Sequence, residues 1–194
     1  MKVNSKSLEK EVSTCSLCIQ HLPRGPRPIF QIHPNAKILI AGQAPGSKVH
    51  TTGIPFDDPS GDRLRDWMGI DKDTFYNSKQ IAILPMGFCY PGTGKSGDLP
   101  PRKECADKWR NQLLATMPKI ELTLVIGQYA LDWHLKKQKK KNLTETVKAW
   151  KEYWPQYLPL PHPSPRNNIW LKKNEWFEEE ILPELKSSIQ KQLH

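Results

Sequence analysis

Four short apolar runs constrain this chain more than any other feature. Lys37–Ala41, Gln80–Leu84, Glu121–Ile126 and Gln156–Leu160 each have the length and composition of a buried strand. Each is followed at once by Gly42, Pro85, Gly127 or Pro161. Gly favours turns and Pro cannot donate to a sheet ladder, so each run stops there. Between the runs the apolar spacing becomes helical. Asp62–Met68 puts Leu64, Trp67 and Met68 on one face, and Glu104–Thr116 does the same with Trp109, Leu113 and Leu114. Pro101 and the charged Arg102, Lys103 and Glu104 mark the start of the second helix. Gln128–Leu135, Thr144–Tyr153 and Asn174–Gln192 read as further helices, the last with a kink or break at Pro183. Alternating strands and helices predict an α/β fold, a three-layer sandwich around a mostly parallel central sheet. No internal repeat or linker divides the chain, so residues 1–194 read as one domain.

Composition narrows the function classes. The apolar runs are too short to span a bilayer, and the N-terminus has no apolar core of a secretory signal. The expectation is a monomer with no membrane partner, in a bacterial-type cytoplasm or another reducing compartment. A net charge of +9 calls for an anionic partner, with nucleic acid the first choice. The Lys136–Lys141 run is better read as a solvated helix end than as a DNA contact.

In an open α/β sheet, ligands bind beyond the carboxyl ends of the strands. Gly42–Gly46, Pro85–Cys89, Gly127-Gln128 and Pro161–Asn167 all fall there, and Pro and Gly make such loops cheap to order. His162 is held between prolines, where an imidazole can donate a hydrogen bond to a developing negative charge. Phe56, beside Asp57 and Asp58, offers a stacking surface next to carboxylates. Either Asp could equally cap the following helix.

Cys15 and Cys18 form a C-x2-C pair, and Cys89 and Cys105 flank a Pro/Gly-rich loop, Tyr90–Pro101. Four thiols without a secretion signal favour a four-thiolate site over disulfides. Zinc and an iron–sulfur cluster both accept four Cys ligands, and four unrelated buried thiols are the remaining alternative.

Together these residues resemble the uracil-DNA glycosylase superfamily. Gly42–Gly46 matches its G-x-x-P-G motif, Gly53–Phe56 its G-x-P-F element and His162-Pro163-Ser164 its H-P-S motif. The four cysteines look like the layout of the family 4 enzymes, which carry a [4Fe-4S] cluster. Thr52–Phe56 and His162–Asn167 (HPSPRN) look like the single-strand-selective monofunctional glycosylases.

The resemblance implies a DNA repair enzyme that hydrolyses the N-glycosidic bond of uracil or a related deaminated base, without a lyase step. His162 would hydrogen-bond the base as charge moves onto it. Phe56 would stack on the flipped base, held also by the backbone of Gly42 and Ala44, with Asp57 close by. Ser164 would meet a phosphate, Arg166 would enter the space the base vacates, and Asn167 belongs to the same DNA-facing loop. Cys15, Cys18, Cys89 and Cys105 would hold the [4Fe-4S] cluster, with zinc as the alternative. Base removal requires extrusion of the nucleotide, at roughly a few kcal/mol of unstacking.

The chain also departs from that pattern. Ala44 stands where several families place Asp or Asn, and Gln43 where family 4 has Glu. Asp57 and Asp58 fall in the stretch where family 5 enzymes carry a catalytic Asp, offset by one or two residues; Asp58 is the favoured candidate, with Gln43 to orient water. Pro85 replaces an Asn that reads the base edge, and Gly46 stands where some relatives carry a Tyr against the thymine methyl. Hypoxanthine and xanthine therefore stand beside uracil as substrates. The other readings are a non-catalytic binder of damaged or single-stranded DNA and a nucleoside hydrolase.

Overall fold

The computed structural model describes residues 5–95 and 97–193. Residues 1–4 and 194 of the single-domain reading, and Ser96 of the Tyr90–Pro101 loop, lie outside the described residues. The strands are β1 (Ile38–Ala41), β2 (Ile81–Ile83), β3 (Thr93–Gly94), β4 (Gly97–Asp98), β5 (Leu122–Ile126) and β6 (Tyr157–Leu160). The main sheet has the order β2-β1-β5-β6, and all its neighbours are parallel. The hairpin β3–β4 interrupts the Pro/Gly-rich loop between Cys89 and Cys105.

Every residue of β1, β2 and β5 is buried because both faces of the sheet are covered. Successive side chains point to opposite faces. Ile38, Ile40, Ile81, Ile83, Leu122, Leu124 and Ile126 share one core with Leu64, Trp67, Phe75, Phe177 and Leu185. Leu39 and Ala82 face the other way, onto Leu8, Val12, Trp109 and Leu113. Each fully buried aliphatic side chain contributes about 1.5–3 kcal/mol relative to exposure. Cys15 and Cys105 pack against that second core.

The predicted elements hold, with boundary corrections that have local causes. The Asp62–Met68 helix starts earlier and spans Pro59–Met68. Asp58 caps it, its Oδ1 accepting the Gly61 N–H at 2.9 Å, and Pro59 sits in the first turn where no amide is needed. The Glu104–Thr116 stretch is helical in three successive pieces: Lys103–Cys105, a π-type turn over Ala106–Arg110, and Asn111–Ala115. Thr144–Tyr153 divides into Leu143–Lys148 and a 3-10 turn at Trp150–Glu152. Pro183 breaks nothing: it follows a π-type stretch, Phe177–Ile181, at the start of the helix Leu182–Leu193. The wider turn leaves room for a ring that has no amide to give. The short helices Ser5–Ser13, Ser47–Thr52, Lys72–Phe75 and Asn168–Lys173 are additions to the sequence reading. Among the described residues, no helix is long and apolar enough to cross a membrane.

Candidate active site

The chain leaves β1 toward β2 on one side and leaves β5 toward β6 on the other. The carboxyl ends of β1 and β5 therefore form a switch point in the topology. A pocket of about 450 Å³ opens at these strand ends. Gly42–Gly46 beyond β1, Pro85 beyond β2, and His162, Ser164, Arg166 and Asn167 beyond β6 all line it. Phe56, Asp58 and Asp98 complete its walls. Gly127 and Gln128, also expected at this edge, are not among the lining residues. The Pro85–Cys89 segment divides: Pro85 lines this pocket, whereas Gly87, Phe88 and Cys89 line a second cavity.

Phe56 is held by constraint from several sides. Its φ is +56°, a left-handed conformation unusual for a bulky residue. Tyr76 donates its hydroxyl to the Pro55 carbonyl at 2.9 Å. A Cβ at Gly61 would lie only 1.7 Å from the Phe56 carbonyl oxygen, so the helix start fits beneath this turn only with Gly there. The Phe56 ring lies against Gly42, where a Cβ would stand 3.3 Å from Cζ, and the Phe75 ring meets it in a T-shaped contact. The ring is thus fixed at the pocket wall before any ligand arrives.

His162 sits on a loop braced from both sides. Asn167 donates from Nδ2 to the His162 carbonyl at 2.7 Å. Arg63 reaches across to the Ser164 carbonyl at 3.0 Å and to Asn168 Oδ1 at 2.8 Å. Burial pushes the imidazole pKa down, against a smaller opposing pull from Asp58 and Asp98. The ring is therefore neutral at pH 7 and presents one N–H donor. Ser164 accepts the Arg166 amide, and the Arg166 side chain lies exposed beside Gly97.

The two carboxylates after Phe56 part ways. Asp58 faces the pocket while its Oδ1 caps the helix; Asp57 is not a lining residue and pairs with Lys72 at 3.8 Å. The Gln43 amide nitrogen donates to the Leu99 carbonyl at 3.4 Å. The backbone carbonyls of Gly42 and Gln43 accept from Met86 and Gly87, tying the loop after β1 to the loop after β2. In the lysine run, Lys139 pairs with Asp132 and Lys140 with Glu152, and none of it lines the pocket.

The cysteines form the second cavity, of about 20 Å³, on which Cys15, Cys18, Cys89 and Cys105 converge. All four are free thiols. Phe88 donates its amide to Cys105 Sγ at 3.4 Å, and Trp109 donates Nε1–H to Cys15 Sγ at 3.2 Å. Burial pushes the Cys89 thiol up to about 11 and the Cys105 thiol up to about 12. Among the described residues, no three His, Cys, Asp or Glu side chains are grouped so that they could hold a metal ion.

A sequence profile of the uracil DNA glycosylase superfamily matches residues 29–186. The chain belongs to the uracil DNA glycosylase superfamily. The match starts after Cys15 and Cys18 and includes every residue that lines the pocket. The fold also resembles the solution structure of a candidate uracil DNA glycosylase from Methanosarcina acetivorans, at 18% identity and a TM-score of 0.50. That likeness covers 82% of this chain and 98% of the other. Four residues of this glycosylase-family site escape a reading by motif: Gly61, Arg63, Tyr76 and Asp98. Gly61 follows a Pro-Ser pair at a helix start, a position where Gly is otherwise poor, and that was the one available signal.

Proposed function

We propose that this protein is a monofunctional DNA glycosylase that hydrolyses the N-glycosidic bond of uracil or a related deaminated base. The observation that carries the reading is a half-buried, neutral His162 facing the same 450 Å³ pocket as a conformationally locked Phe56. A flipped base would stack on Phe56, and His162 would donate its N–H to the carbonyl oxygen on which charge accumulates. Such a preorganised donor is worth about 10²–10³ in turnover. As the C1′–N bond breaks, its electron pair leaves with the base and the sugar becomes cationic. Asp58 would steady that cation, and Gln43 would orient the water that adds to C1′. The water proton passes to solvent or to Asp58, and the base anion is then protonated. Ser164, Arg166 and Asn167 would meet the DNA backbone and the vacated space. Pro85 supplies no side-chain amide, so selectivity rests on pocket shape, and hypoxanthine and xanthine stand beside uracil.

Cys15, Cys18, Cys89 and Cys105 would hold a [4Fe-4S] cluster, with zinc as the alternative. Four thiols around one cavity with N–H donors aimed at two of them suit a resident thiolate-bound group. A single zinc needs sulfurs about 2.3 Å from one point, whereas a cluster gives each thiolate its own iron. When bound, the group supplies cross-linking of the N-terminal segment to the loop between Cys89 and Cys105.

The test is a panel of uracil-, hypoxanthine- and xanthine-containing oligonucleotides, with abasic sites cleaved after incubation. Release of at least one base is expected, and His162→Ala should lower it about 10²–10³-fold while DNA affinity holds. No release from any substrate by folded, metal-loaded protein defeats the glycosylase reading. Retained DNA affinity would then identify a binding module, and turnover of free nucleosides a nucleoside hydrolase.

A further inference from the structure

Arg110 is the most unusual charge in the molecule. It is fully buried, with 0% exposure, and closes the π-type turn that begins one residue after Cys105. Nη1 donates to both the Leu84 and the Pro85 carbonyls at 2.8 Å. Nη2 meets His134 Nε2 at 2.7 Å. A guanidinium can only donate, so His134 must accept through Nε2 and carry its proton on Nδ1. Burial and the Arg110 charge push the His134 pKa down to about 2, so this partner stays neutral. Arg110 Nε is buried with no partner, and no ion pair among the described residues involves it. A buried cation without a paired anion is costly, so the bonds to the two carbonyls and to His134 are what hold the guanidinium in place.

The segment from Leu84 to Phe88 joins the two cavities. Arg110 holds it at Leu84 and Pro85, the loop after β1 holds it at Met86 and Gly87, and Cys105 accepts the Phe88 amide. Pro85 is a wall of the base pocket and Cys89 a wall of the cysteine cavity. We infer that Arg110 is a positioning residue whose guanidinium, bonded to the Leu84 and Pro85 carbonyls, sets the wall of the base pocket at Pro85. The inference rests on the reading of the pocket as a glycosylase site.

The test compares wild type, Arg110→Lys and Arg110→Met by KM and kcat for base release from the preferred oligonucleotide. Lys keeps the charge but cannot span both carbonyls and His134; Met removes the charge and the donors. Both should raise KM at least fivefold with kcat within twofold. Unchanged KM in both, or a kcat that falls as far as KM rises, overturns the inference. Should the Met variant fail to fold, the Lys variant decides by the same criterion. A wild type that releases no base defeats the glycosylase reading alone; Kd for the base-containing oligonucleotide then decides, a rise of at least fivefold in the variants supporting the inference and an unchanged Kd overturning it.

Discussion

The base pocket and the cysteine cavity are built on opposite principles. The base pocket is wide, about 450 Å³, and its walls are loop backbone and varied side chains. The cysteine cavity is about 20 Å³, and four residues of one kind converge on it. The first suits a ligand that enters and leaves with solvent access; the second suits a group that stays. Precision in the first comes from backbone restraint, such as the positive φ of Phe56 and the close approach of Gly61. In the second it comes from donor chemistry. The two are neighbours in sequence as well, since Pro85 and Cys89 belong to one short segment that serves both.

The largest expected break in that comparison is Gly61→Ala. The new methyl overlaps the Phe56 carbonyl oxygen and forces the turn or the helix start to move. Stability should fall by about 3 kcal/mol, the upper end for overpacking, measured by urea unfolding. Base binding should weaken, while the metal proposed for the cysteine cavity is retained as in wild type, because other segments build that cavity. Unchanged stability and binding would show that Phe56 is not clamped from below.

Acid should affect the fold through two half-buried histidines, His162 and His134. Burial lowers the pKa of His162 and of His134 in the folded protein. The unfolded chain takes up protons below about pH 6.5 that the folded protein refuses. Stability therefore rises with pH in that window and is lost as pH falls, by about 1.4 kcal/mol per pH unit for His134. For His134 the window extends from about pH 6.5 down to about 2. His134→Gln keeps an acceptor for Arg110 and does not titrate, so its unfolding midpoint should fall less steeply between pH 7 and 4.5. Parallel acid limbs for the two proteins would exclude His134 as a source of the slope.

The smallest effect sharpens the role of one carboxylate. Asp58→Asn preserves a good helix cap and removes the charge, so stability should stay within about 0.5 kcal/mol. Base release should fall about tenfold, within the range of a positioned charge or base. Asp58→Ala should cost about 1 kcal/mol of stability in addition. Wild-type turnover in the Asn variant would limit Asp58 to capping.

Much of this was legible in the chain. The four apolar runs marked the sheet because continuous burial on both faces leaves an uninterrupted apolar signature. His162, Phe56 and the loop after β1 were visible because Pro and Gly punctuate strand ends. The cysteines stood out because few residue types do their chemistry. The choice between Asp57 and Asp58 was not legible, since two adjacent carboxylates look alike until one turns to cap a helix and the other to Lys72. Nor was Arg63, whose contact with Ser164 spans 101 positions of sequence.

By itself, then, the sequence determined the layers, the strand ends that face a ligand and the side chains available for chemistry. These follow from periodicity and backbone freedom, which operate over a few residues at a time. Only the tertiary structure decided how Pro85–Cys89 divides between two cavities, which acid faces the pocket, and that a buried arginine holds Leu84 and Pro85. Those outcomes depend on groups far apart in the chain meeting in one place, where burial and hydrogen-bond geometry select among residues that local pattern treats as equal.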